Sequence, residues 1–202
     1  MKIIDQRIIF QAVVDCVIIV MELVGLAIST KDNGLWQQFV FYTQNSNYIL
    51  MFASIFHLIS ILKNGEPSRA ASAAQYGAVC LTTVTLLVVI FLLAPMYRTL
   101  SGVLFGGSKF IMHLAAPLLA LTVYLAVPVF KPSKVDFLTA IVPTVIYAAV
   151  LIVLNVVRAV EGPYPFLKVW EQPWYMSVMW AVLIVGSAAA IAAVLRLINL
   201  RR

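Results

Sequence analysis

Residues 43 to 47 read Thr-Gln-Asn-Ser-Asn, five consecutive hydrogen-bonding side chains set inside a stretch otherwise apolar enough to cross a membrane. A threonine hydroxyl becomes a nucleophile when a neighbouring base takes its proton. The chain has 2 histidines, His57 and His113. Depth separates them, because a helix rises about 1.5 Å per residue. Thr43 and His113 each fall roughly 8 Å below the same surface, and Glu22 and Asn155 fall in the same layer. His57 lies roughly 21 Å further along the axis from Thr43, near the cytoplasmic interface, where packing or a lipid headgroup accounts for it. Asp15 shares a helix face with Glu22 and sits near mid-membrane, where a structural hydrogen-bonded role is expected.

A hydroxyl, an imidazole, a carboxyl group and amides at one depth are the parts of a nucleophilic hydrolase. Thr43 would attack a carbonyl carbon, His113 would act as its base, and Glu22 would orient the imidazole. The side-chain amides of Asn47, Asn45 or Asn155 would stabilise the oxyanion, at about 3 kcal/mol per well-placed donor. Lys109, Arg158 and Lys168 fall on the same side. There they either receive a substrate carboxylate or lipid phosphate, or simply snorkel to the interface. Threonine, serine and asparagine also tie helices together in lipid, at roughly 0.6 to 2 kcal/mol per contact. The residue types therefore leave three functions open. One is the hydrolase. Another is a proton- or cation-coupled transporter or channel using Asp15, Glu22 and His113, and the third is a non-catalytic lipid-binding membrane protein.

These side chains must be placed by membrane helices. Of the 202 residues, 63% are hydrophobic and 11% charged, with a mean hydropathy of +1.00. No ordinary soluble domain has that balance. About 20 apolar residues cross a bilayer, and six segments qualify: about 8–29, 38–62, 73–96, 108–129, 136–159 and 173–198. The expected fold is all-α, a single-domain polytopic bundle of six transmembrane helices. Turn residues mark the joints, as at Asn33-Gly34, Gly65-Glu66-Pro67, Gly106-Gly107 and Glu161-Gly162-Pro163. The first segment is too long and too charged for a cleavable leader and is expected to stay in the protein.

With the N-terminus inside, one face carries Lys2, Arg7, Lys63, Arg69, Lys131, Lys134, Arg196, Arg201 and Arg202. The other carries Lys31, Arg98, Lys109, Arg158 and Lys168. Positive charge accumulates on the cytoplasmic side, so both termini are expected there. The net charge of +6 is explained by anionic headgroups and calls for no nucleic acid. Cys16 and Cys80 lie within spans in no metal-ligand spacing and read as packing residues. No P-loop, Rossmann, HExxH or GxSxG pattern occurs, and neither a metal nor an organic cofactor is expected.

Three short motifs occur in order: FYTQNSN around Thr43, MHLAAP around His113, and PYPFL at residues 163–167. Together they resemble the androgen-induced and androgen-dependent TFPI-regulating family of multipass membrane proteins, most closely its bacterial relatives. The animal members lack the QNSN block. The resemblance implies an intramembrane threonine hydrolase, serine-hydrolase-like in mechanism, that cleaves fatty acid esters of hydroxy fatty acids. It makes Thr43 the nucleophile and His113 the base, with Pro117 following the histidine and Tyr164, Pro165, Phe166 and Leu167 intact. It also implies residence in a bacterial cytoplasmic membrane, with membrane lipids and a lipid ester as partners. Two prolines within three residues make PYPFL a rigid non-helical turn, placed to cap the site.

Overall fold

The computed structural model describes residues 5–127 and 130–201. Lys2, Arg202 and the end of the segment expected at 108–129 lie outside the described residues. Helix α1 (Gln6–Asn33) starts at Asp5, whose carboxylate accepts from the Arg7 amide as an N-cap. Its buried residues Gln11, Asp15, Ile18, Glu22, Gly25 and Ser29 recur at alternating steps of four and three, which is the seam of a helix packed along its length. The opposite face exposes Phe10, Val13, Val17, Val20 and Val24. Polar side chains inside and apolar ones outside are what lipid selects, since only the interior offers hydrogen-bond partners.

Helix α2 (Tyr42–Asn64) ends at Gly65, whose φ of +77° makes the left-handed cap that glycine adopts without strain. Helix α3 (Arg69–Tyr97) is the central element and touches α2 along much of its length. A short helix, α4 (Leu100–Leu104), is capped by the Thr99 hydroxyl. Then come α5 (Phe110–Ala126), α6 (Lys134–Val156) and α7 (Trp174–Leu200). Around α3 pack α2, α5, α6 and α7, while α1 lies against α2 and α5. The starts of α3 and α6 are joined by Arg69, which donates to both Asp136 carboxylate oxygens at 3.3 and 2.7 Å. Asp136 also completes a capping box with Ser133.

Five helices, α1, α2, α3, α6 and α7, are long and apolar enough to cross a membrane. The segment expected at 108–129 is helical over Phe110–Ala126, which at about 1.5 Å per residue is short for a full crossing. Among the described residues the length criterion therefore gives five spans rather than six. Arg69 begins α3 four residues ahead of the expected start at 73, and α4 occupies what reads in the sequence as a loop.

Two π turns have a common cause. The amide of Ala94 bonds the Val89 carbonyl, and that of Ala116 bonds the Ile111 carbonyl, each five residues back. Pro95 and Pro117 follow directly. A proline has no N–H and its ring crowds the carbonyl four residues earlier, here those of Phe91 and His113. The wider turn carries the backbone ladder past that obstruction. Both π turns lie at the same end of the bundle, the end where α2 begins.

Candidate active site

Helix α2 starts four residues later than the expected 38, after a 3₁₀ turn at Gln37–Val40 and a break at Phe41. Asn45 accounts for the break: its side-chain amide donates to the carbonyls of Phe39 and Phe41 at 2.8 and 3.1 Å. The Phe39 carbonyl is thereby taken from the helical ladder. Thr43 becomes the second residue of the helix rather than one turn deep, and its amide donates to the Tyr164 hydroxyl at 3.4 Å. The first-turn amides of a helix have no intrahelical acceptor and carry its positive pole.

Each remaining member of the polar block reaches a different neighbour. Gln44 donates to Ser29 of α1 at 3.1 Å. The Ser46 hydroxyl lies 2.8 Å from that of Thr85 in α3. Asn47, fully buried, donates to the Thr43 carbonyl at 2.8 Å and to the Met112 carbonyl of α5 at 2.9 Å. Asn47 therefore fastens the turn that carries Thr43 to the residue beside His113.

His113 sits in the π turn that opens α5, partly buried. Its Nδ1 is 2.5 Å from the Val103 carbonyl. A carbonyl oxygen only accepts, so Nδ1 carries the hydrogen and Nε2 is the basic nitrogen. Thr43 and His113 line one cavity of about 760 Å³, together with Gln44, Leu93, Lys109 and Tyr164. The rim is formed by the ends of α1 and α3, by α4, and by the Gly106–Gly107 turn.

The PYPFL segment supplies the third wall. Its residues 165–167 form a 3₁₀ turn, and Tyr164 is held between Phe41 and Phe166, with ring centroids 6.2 and 5.2 Å away. The segment folds back so tightly that a Cβ on Gly162 would lie 2.4 Å from the Leu167 carbonyl oxygen. Asn155 fixes its far side: the amide nitrogen donates to the Val160 carbonyl at 3.0 Å, and the amide oxygen accepts from the Val169 amide at 2.8 Å. Gly162→Ala is expected to displace the Leu167 backbone and with it Tyr164. Limited proteolysis should then cut residues 160–172 faster than in the wild type, with a thermal midpoint lowered by the equivalent of about 1–3 kcal/mol.

The other residues expected at the site are placed as follows. Glu22 is fully buried, and neither of its carboxyl oxygens meets a donor among the described residues. It does not line the cavity, and the group that touches the His113 imidazole is the Val103 carbonyl. The amide donors of Asn45, Asn47 and Asn155 are committed to backbone carbonyls, as described above, and none of the three lines the cavity. Lys109 does line it and donates to the Gly102 carbonyl at 2.9 Å. Arg158 instead lies over the Trp170 ring, 4.6 Å from its centroid. Lys168 pairs with Glu161 at 2.7 Å and Glu171 at 3.0 Å, outside the cavity.

Asp15 and His57, placed at different depths by counting from expected helix ends, meet at 2.6 Å. Antiparallel α1 and α2 run in a register that sets them level. Tyr164 and Val103 are the contributors that sequence reasoning missed. The PYPFL motif was the available signal for Tyr164, whereas a backbone carbonyl leaves no trace in side-chain identities. No protein-family model matches the chain, and neither a curated protein nor a solved structure matches it.

Proposed function

We propose that this chain is an intramembrane lipid-ester hydrolase with a threonine nucleophile, anchored with both termini on the cytoplasmic side and all six helical segments within the membrane. The observation that carries this reading is the single cavity lined by both Thr43 and His113, in which the histidine is already in the tautomer a base requires. The resemblance to the androgen-induced family points the same way and supplies the substrate class, fatty acid esters of hydroxy fatty acids.

In this mechanism the Thr43 Oγ1 attacks the ester carbonyl carbon while His113 Nε2 takes the hydroxyl proton. The Val103 carbonyl keeps the ring in place and favours the imidazolium that forms. Negative charge developing on the former carbonyl oxygen meets the Tyr164 hydroxyl and the positive pole at the start of α2. Collapse of the tetrahedral intermediate breaks the ester C–O bond, and the departing alcohol takes the proton from His113. Water, deprotonated by the same nitrogen, then attacks the acyl-threonine and releases the acid. Phe41, Leu93 and Met112 give the cavity an apolar wall for a hydrocarbon chain. At the rim, Lys109 meets the carboxylate end of the substrate.

An activated hydroxyl in such a site reacts with fluorophosphonates. Purified protein treated with a fluorophosphonate probe is expected to carry one adduct, mapped by mass spectrometry to Thr43, and to lose it in His113→Ala while keeping it in Asp15→Asn. No adduct on folded protein, or an adduct indifferent to His113, removes the hydrolase and moves the assignment to transport.

A further inference from the structure

Thr43 stands at the junction of two spaces, and the hydrolysis described above occupies one of them. Besides the cavity shared with His113, Thr43 lines a second space enclosed between α3, α6 and α7. Leu93 and Tyr164 line both, so the two spaces meet beside the nucleophile.

They differ in shape and in chemistry. The first holds about 760 Å³ and carries Asp32, Ser108 and Lys109 in its lining. The second holds about 40 Å³, although its lining runs along α3 from Val84 to Leu93, a distance of about 14 Å at the helical rise. It is therefore a thread rather than a chamber. Among the described residues its lining has no charged side chain. Its hydroxyls, apart from that of Thr43, are engaged within the protein. Those of Tyr42 and Thr144 lie 2.7 Å apart, and that of Thr85 lies 2.8 Å from Ser46. Tyr147 donates to the Val40 carbonyl at 2.8 Å, and Tyr164 accepts from the Thr43 amide. What remains facing the slot is hydrocarbon and aromatic surface, which suits an alkyl group and not water.

The slot is unequally walled. On α3, Val84, Val89 and Leu93 are buried, whereas Ala148 of α6 and Ala181 and Ile184 of α7 are only half-buried. Its outer side is thus the seam between α6 and α7, which in a bilayer meets lipid. Ala148 and Ala181 are the smallest side chains of the lining, one on each of those helices. A long alkyl chain does not fit inside 40 Å³, but its first carbons can lie in the slot while the rest leaves through the seam.

On the hydrolase reading, on which this rests, we propose that the slot binds the first carbons of the ester's acyl chain in single file. The far end of the chain runs out between α6 and α7 into the bilayer, and the alcohol portion of the ester occupies the wide cavity. Selection is then by width and not by length. A linear acyl chain passes whatever its length, a branched one is refused, and Ala148 and Ala181 set the gauge.

The test compares hydrolysis of p-nitrophenyl acetate, octanoate and 4,4-dimethyloctanoate by purified protein in one uncharged detergent, with Thr43→Ala as the blank. The branch in the third ester lies away from the carbonyl, so its intrinsic reactivity matches that of the second. The wild type, which needs no variant for this comparison, is expected to cleave the branched ester more slowly than the linear one by about tenfold or more. In Ala148→Leu and Ala181→Leu the octanoate-to-acetate ratio of kcat/KM should fall by about tenfold, with acetate turnover in the same sample reporting on the folded protein. Thr43-dependent hydrolysis with equal linear and branched rates, or with the wild-type ratio kept in both variants, overturns the slot and leaves the hydrolase standing. No Thr43-dependent hydrolysis of any of the esters overturns both.

Discussion

For the proposed hydrolysis, Thr43→Ala is expected to lower kcat/KM for a fatty-acid ester by on the order of 10⁴, His113→Ala to lower it similarly, and the double variant to be no slower than either single one. The equality follows from the division of labour in the cavity. A threonine hydroxyl without a base is a weak nucleophile, and an imidazole without the hydroxyl has no proton to take. Thr43→Ser keeps the hydroxyl and is expected to retain most of the activity. The measurement is steady-state hydrolysis in mixed micelles, with a thermal midpoint for each variant to show that the fold is intact. Additive losses, or an active Thr43→Ala, would remove Thr43 from the chemistry.

Tyr164→Phe is expected to lower kcat on the order of 10² to 10³ while leaving KM nearly unchanged, the signature of losing a donor that acts on charge present only in the transition state. The substitution is conservative for packing, because the ring contacts with Phe41 and Phe166 survive it. A loss confined to KM, or a fall in thermal midpoint matching the fall in rate, would make the hydroxyl a structural contact to the Thr43 amide and nothing more.

The helices were legible because length and apolarity specify a span almost independently of its neighbours. Their bounds were less so. The start of α2 depends on where the Asn45 amide turns, and the shape of α5 depends on what the backbone does ahead of Pro117; neither is a property of composition. The site was legible in one dimension. Depth along the membrane normal placed Thr43 and His113 together, and they do line one cavity. The same depth count said nothing about direction around each helix axis. For that reason Asn155 points into the 160–170 loop and Asn45 back over its own helix start, while Glu22, midway between the levels set by the Ser29–Gln44 and Asp15–His57 contacts, lies deeper than Thr43 as well as in the α1 seam. The Asp15–His57 pair shows the complementary error: each was counted from an expected helix end, and small errors in both ends placed two residues in direct contact at separate levels.

The first turn of α2 has a consequence for biosynthesis. Thr43 to Asn47 join α1, the preceding loop, α3 and α5 through side chains on a single turn. Membrane helices insert one by one and associate afterwards, so the nascent chain passes through stages in which α2 is in the bilayer while α5 is still being made. At those stages the threonine has neither its imidazole nor the Met112 carbonyl that steadies its turn. In the proposed hydrolase, reactivity therefore cannot appear before α5 has docked, and a chain stalled ahead of α5 would carry an inert hydroxyl rather than an unguarded esterase among the lipids of its own membrane.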